Sequence, residues 1–258
     1  MVAALSSAIR NTYAIVIAAV AWECLARSGL VSPLLVPSLQ TIGAALYNGL
    51  ASGEILLHTE WTLGRAAIGY GCAIIAGGAL GSAMGLSGRF ENMLEPVFSF
   101  GYPIPKIALY PIFAFLFGLS SGPKVALVFL ESLYPIAVAT YQGMKAVKRQ
   151  DIWGAQMMGA SASQIYWRVI VPRTAPYFMS AMRISLHVAL ATTVVLEMIG
   201  DSTGLGYYIT YEAASFNFGA SFAGIAVIVI LGFALDRTLI WARRKFVFWE
   251  QQTSAASR

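Results

Sequence analysis

Asp151 to Pro172 reads DIWGAQMMGASASQIYWRVIVP, a polar, aromatic and basic stretch of helical character set between long apolar segments. Asp151 suits the N-terminal end of a helix, as a cap and as a partner for the helix dipole. Ile152, Trp153, Ala155, Met157 and Met158 give an apolar and thioether surface over about two helical turns. Gly159 to Ser163, GASAS, is a small polar bend, and Gln164 to Val171 reads as a second amphipathic helix ended by Pro172. A chain that only had to cross a bilayer has no use for such a loop, whereas one pushed by a soluble partner does. Two readings fit its surface. It is a short helix docking in a partner's groove, or an interfacial helix anchored on lipid by Trp153, Tyr166, Trp167 and Arg168. Periodicity alone does not separate them.

The surrounding composition places the loop beside a membrane. Of 258 residues, 58% are apolar and 11% charged, with mean hydropathy +0.68. Soluble domains carry about 25% charged residues, and apolar runs of about 20 residues cross the hydrocarbon core as helices. The fold class expected is therefore all-α, a polytopic membrane protein of about six spans. Cys24 and Cys72 both lie in apolar stretches and suggest no disulfide framework. The net charge of +5 belongs to topology rather than to nucleic acid, which is not an expected partner; membrane lipids are.

Ala66 to Leu86 and Ala213 to Leu235 are uncharged, as is Ile107 to Pro123, which contains Pro111. Val125 to Met144 carries only Glu131, and Ala175 to Ile199 carries Arg183, His187 and Glu197. The first span, around Thr12 to Leu25, is weaker and is interrupted by Glu23. Arg10 precedes it as in a signal peptide, but no small-x-small site follows, so a retained helix is expected. Lys145, Lys148, Arg149, Arg168 and Arg173 follow the fourth span, and Arg243, Arg244 and Lys245 follow the sixth. The loop after the fifth has only Asp201 and Glu212; that after the first has Arg27 and, at its far end, Arg65. The positive-inside rule then puts both termini, residues 151–172 and the tail 243–258 in the cytoplasm.

Within the spans, Gly69, Ala73, Gly77, Gly81 and Gly85 recur at every fourth position. Such a stripe admits another helix closely, as ordinary packing or as an interface beside a translocation path. No clear repeat relates the halves, which disfavours an inverted-repeat carrier. Tyr102-Pro103-Ile104-Pro105-Lys106 and Pro111 predict a broken start and a kink in the third span, as a bend in a pathway or a simple re-entry turn. Ionisable groups in lipid are costly and prompt functional hypotheses. Glu131 and Glu197 are candidates for the translocation path, or bond to neighbouring helices. Arg183, one turn from His187, either reaches toward the cytoplasmic interface or contacts solute.

Enzyme chemistry finds no support. There is no G-x-x-x-x-G-K-[ST] loop; the nearest lookalike, Gly118 to Lys124, lacks its ending. His58 and His187 are far apart, with no HExxH or CxxC pattern. No catalytic Ser-His-Asp set is recognisable. No cofactor is expected in this chain, which cannot be its own ATPase by phosphate-loop chemistry.

The loop's spacing resembles the cytoplasmic signature of binding-protein-dependent ABC importer permeases: Glu-Ala-Ala, three residues, Gly, nine residues, Ile-x-Leu-Pro. Trp153-Gly154-Ala155 stands at the Glu-Ala-Ala positions, Gly159 at the Gly, Val169 at the Ile, and Val171-Pro172 at Leu-Pro. Trp153 replaces the usual Glu and Gly154 the first Ala. The resemblance covers nearly the whole chain and points to the nitrate/sulfonate/taurine subfamily. Pro103-Ile104-Pro105-Lys106 with Pro111, Glu197-Met198-Ile199-Gly200 with Gly204-Leu205-Gly206-Tyr207, and His58, Arg65 and Gly69 match its other motifs in order.

The resemblance implies one permease domain over 1–258, with a type I importer fold, working by alternating access. Its implied partners are a second copy of itself, two cytoplasmic ABC ATPases and an external solute-binding protein. The coupling residues it implies are Asp151, Ile152, Trp153, Gly154, Ala155, Met158, Gly159, Ala160, Val169 and Pro172. The solute it suggests is a small anion such as a sulfonate, nitrate or carboxylate. The alternative is a secondary carrier or channel without an ATPase.

Overall fold

In a bilayer every backbone N–H and C=O must find its partner within the protein, which favours helices for apolar segments such as these. The computed structural model describes residues 2–249, with side chains from residue 13, and every regular element among them is helical. In chain order these are α1 (Val2–Arg27), α2 (Leu39–Ala51), α3 (Glu54–Leu86), α4 (Gly88–Gly101), α5 (Tyr110–Phe117), α6 (Ser121–Lys145), α7 (Arg149–Met157), α8 (Ala162–Ile165), α9 (Val171–Gly200), α10 (Leu205–Ala214) and α11 (Phe218–Phe246). The expected tail 243–258 lies outside the described residues from 250 onward.

Four helices are long and apolar enough to cross a membrane: α3, α6, the run Ala162–Gly200 and α11. A fifth candidate is the pair Gly88–Gly101 and Lys106–Phe117, bent by 82°. The weak first span falls in α1, whose 26 residues reach about 39 Å, enough to cross. Pro103 and Pro105 occupy the break, as expected. Pro111 does not kink a helix; it sits in the first turn of α5, where its missing N–H costs nothing.

Contacts divide the chain into two compact units, Met1–Trp61 with Ser202–Val229 and Thr62–Asp201 with Ile230–Arg258. In the second, α6 and α9 pack along one another extensively. Ala73, Leu133, Ile136 and Ala181 form one buried cluster, and Tyr110, Leu127, Val128, Ala189 and Leu196 another. The small-residue stripe of α3 packs on α6: Gly69 against Val128, Gly77 against Ile136, Gly81 against Ala137 and Thr140, Gly85 against Met144. A Cβ at Gly81 would lie 2.6 Å from the Thr140 Cβ, so the two backbones approach only because the side chain is absent.

In the first unit, Ile55 is fully buried beneath Gly49 and Tyr208. Trp22 packs edge-on against Phe222, with ring centroids 5.2 Å apart, and its Nε1 donates to Pro37 O. Glu23, which interrupts the first span in sequence, accepts the Leu39 N–H at the start of α2 at 2.8 Å, a charge placed at a helix N-terminus. His58 Nδ1 accepts from the Gly204 N–H at 3.1 Å, so the His58 motif and the Gly204-Leu205-Gly206-Tyr207 motif meet.

Candidate functional site

Four residues past α6, the chain turns into α7, whose N-cap is Lys148. Asp151 therefore lies in the first turn rather than at the cap expected from sequence, still where the helix dipole favours a carboxylate. Ala155 is buried and holds α7 to the unit. The opposite face is open: Trp153 is 56% exposed, Met157 90% and Met158 83%. Large apolar side chains this bare mark a surface for contact with protein or lipid.

Gly159 ends this helix at φ +79°, a left-handed conformation that suits glycine. Its N–H bonds Gln156 O at 2.9 Å, and the Ala160 N–H reaches back to Ala155 O at 3.0 Å. Ser161 then starts α8 with a capping box shared with Gln164. Here the structure departs from the sequence reading. The second helix does not end at Pro172; Tyr166–Ile170 form a π-helical turn that runs directly into α9. Pro172 falls in the first turn of α9, where it removes a hydrogen bond the widened turn does not need. The loop is thus continuous with a membrane-spanning helix.

Asp151, Gly154, Ala155, Met158, Val169 and Pro172, six of the expected coupling residues, line one cleft of about 480 Å³. Gln150, Arg168, Arg173 and Trp249 complete it. Ile152 and Ala160 are half-buried beside it, while Trp153 and Gly159 are exposed. Arg173 Nη2 lies 3.1 Å from Asp151 Oδ2, tying α7 to the start of α9; an exposed pair of this kind contributes roughly 0.2–1 kcal/mol. Trp249 is a member the loop's own sequence gives no sign of, since it follows α11.

The two carboxylates proposed for a path are both bonded to neighbouring elements. Glu131 Oε1 accepts the Lys106 N–H at 2.8 Å, joining α6 to the break before α5. Lys106 is buried, donates through Nζ to Tyr102 O at 3.0 Å and lies 4.1 Å from the Tyr134 ring centroid. Glu197, 1% exposed, accepts from Thr62 Oγ1 and Arg65 Nη1, each at 2.8 Å. Arg65 Nη1 also lies 2.9 Å from Asp201 Oδ2, and so does Lys124 Nζ. Arg65 Nε donates to Ser121 Oγ at 3.0 Å. Two cations and two carboxylates thus compensate one another where α3, α6 and α9 converge.

Sequence reading assigned Arg65 and Asp201 to loops and left Lys124 between two spans, because charge counting set the span ends beside them. Their aliphatic stems and short polar neighbours are buried instead, with Lys124 fully so. The missed signal was spacing: Thr62 and Arg65 lie one turn apart in α3 and present two donors on one face. Among the described residues, no group of three or more His, Cys, Asp or Glu is placed to hold a metal ion. Cys24 and Cys72 are both unpaired thiols.

The model of the family described as "Binding-protein-dependent transport system inner membrane component" matches residues 69–246. The taurine transport system permease protein TauC of Escherichia coli (strain K12) is 31% identical over 233 residues, which are 88% of this chain and 85% of that one. The formylaminopyrimidine transport permease protein ThiX of Halalkalibacterium halodurans is 34% identical over 214 residues, 83% and 84% of the two chains. Among solved structures, the MetNI methionine ABC transporter in inward-facing conformations aligns with a TM-score of 0.64 at 18% identity, covering 74% of this chain and 96% of that chain.

Proposed function

The chain belongs to the family of binding-protein-dependent transport system inner membrane components, and on that premise we propose that it imports a small anion, using α7 as the lever on which an ATPase pushes. It is a permease subunit of an ABC importer with the type I permease fold. Such subunits are not the catalytic chain; ATP is hydrolysed on a separate one. The complete importer would hold two permease copies, two ATPases on the cytoplasmic face and a solute-binding protein outside. Both permease termini would then be cytoplasmic.

The observation that carries this reading is the bare Trp153, Met157 and Met158 surface on a short helix joined through the Gly159 turn to the continuous run from α8 into α9. Apolar and thioether groups fit a partner's groove. Closure of the ATPase dimer would draw two such helices together. The Asp151–Arg173 contact and the π-turn would pass the displacement into α9, and so into α6, which packs along it. The spans would open outward for solute, and hydrolysis would reset them. Taurine is the named solute of one relative and formylaminopyrimidine that of another. A sulfonate or similar organic anion is the solute class we favour, from the first of these.

The test is assembly with the cognate ATPase. Wild-type permease should copurify with it in detergent and raise its hydrolysis when the loaded binding protein is added. Met157→Asp with Met158→Asp should abolish copurification while the permease still inserts. Undiminished copurification would contradict α7 as the docking helix.

A further inference from the structure

Arg183 and His187 share a face of α9, four residues apart, and Asp236 of α11 stands opposite. Sequence reading left Arg183 either reaching to the membrane interface or meeting solute. Its guanidinium is taken up by a neighbouring helix. Its Nε and Nη2 donate to the two carboxylate oxygens of Asp236 at 2.6 and 3.0 Å. His187 Nδ1 lies 2.8 Å from the Arg183 carbonyl, and Nε2 lies 3.6 Å from Asp236. Asp236 escaped the sequence reading because the last apolar run was ended at Leu235, whereas α11 continues to Phe246.

Depth makes this cluster unusual. Arg183 lies ten residues along α9 from Arg173, or about 15 Å, and Asp236 lies seven residues before Arg243, about 10 Å. Against a hydrocarbon core about 30 Å thick, that is inside the cytoplasmic half of the span. Yet the Arg183 and His187 side chains are 48% and 54% exposed on the chain. Lipid would not tolerate a half-bare guanidinium there, so water or protein covers this face. The outward positions of α3, namely Ala67, Ile68, Cys72, Ile75 and Ala79, are apolar throughout and suit lipid. On α9, exposed Tyr177, Arg183 and His187 follow one another at helical spacing with half-buried Ser180 between them, and exposed Ile184 lies beside them. Tyr177 and Ser180 also line a cleft of about 470 Å³, with Gln142 of α6, Tyr102 and Arg243 of α11.

We infer that this stripe faces the water-filled path and that Arg183 contacts the anionic head of the solute in transit. The inference rests on the importer reading above. Asp236 occupies two guanidinium nitrogens and fixes the side chain, while Nη1 makes no hydrogen bond among the described residues. One charged donor, partly neutralised by Asp236, gives an attraction weak enough for release, as passage requires. A sulfonate or carboxylate on a small organic body fits this chemistry.

The test uses the reconstituted complex of permease, ATPase and binding protein in proteoliposomes. Uptake of labelled taurine, nitrate and benzoate is normalised to assembled complex, and the anion that wild type takes up serves as probe. Arg183→Gln should raise KM for it about tenfold, the loss of one charge-assisted contact, and Arg183→Lys should recover part. The double variant Arg183→Gln with Asp236→Asn should stay impaired. Recovery in the double variant would show a merely structural ion pair and overturn the inference. Should Arg183→Gln not assemble, His187→Cys in a chain with Cys24→Ser and Cys72→Ser gives a second reading. A water-borne anionic methanethiosulfonate should label it; no labelling, or a disulfide between two copies, would overturn the path. A wild-type complex that imports none of the three anions would remove the anion reading itself, and the inference with it.

Discussion

Gly159 holds φ +79° between α7 and α8, and an L side chain there costs about 1–2 kcal/mol. No neighbour lies within reach of an added Cβ, so substitution alters the angle between the two helices without a clash. Gly159→Val is therefore expected to leave insertion and ATPase binding intact while lowering solute taken up per ATP hydrolysed severalfold. Parallel measurement of both rates checks it, and an unchanged ratio would contradict a role in transmission. At the ionic cluster, Glu197→Ala would remove one of the two carboxylates that compensate Arg65 and Lys124. Removing one partner from a buried pair costs about 3–5 kcal/mol, so the thermal midpoint in detergent should fall clearly. An unaltered midpoint would contradict the compensation described. Single residues were the hardest scale to read from sequence. Glu197 stood out because a carboxylate in an apolar run has no other explanation, but Lys124, Arg65 and Asp201 sit beside span ends, where charge is ordinary. Only the fold shows that they are buried together.

At the scale of elements, the small-residue stripe of α3 was legible because a four-residue repeat of glycine serves little purpose on a lipid face. Its partner, α6, was not, since nothing in the stripe names the helix it meets. Gly81→Leu should force α3 from α6 at the Ala137 and Thr140 backbone, lowering both the yield of assembled permease and its thermal midpoint. Gly71, with open space around it, provides the control: Gly71→Ala should change neither. In the loop from Asp151 to Pro172 the first helix was legible, though it starts before Asp151, whereas the end of the second at Pro172 was misread. Proline is a helix breaker by rule, but the π-turn before Pro172 supplies room that the rule does not foresee. That correction matters, because a continuous run from α8 to α9 transmits displacement where a broken one would absorb it.

For the whole molecule, composition alone was enough for membrane class and helical fold. Membership in the permease family was carried by the order and spacing of four motifs, two of which the structure brings into contact as Arg65 with Glu197 and His58 with Gly204. Solute identity was not legible. Specificity needs a shaped site, and the polar groups along α9 recruit charge rather than define one molecule. The source of energy is the claim on which the account stands. In proteoliposomes holding permease, ATPase and binding protein, uptake should require ATP and should cease when the ATPase is omitted. Uptake by the permease alone, driven by an ion gradient without ATPase, would contradict it.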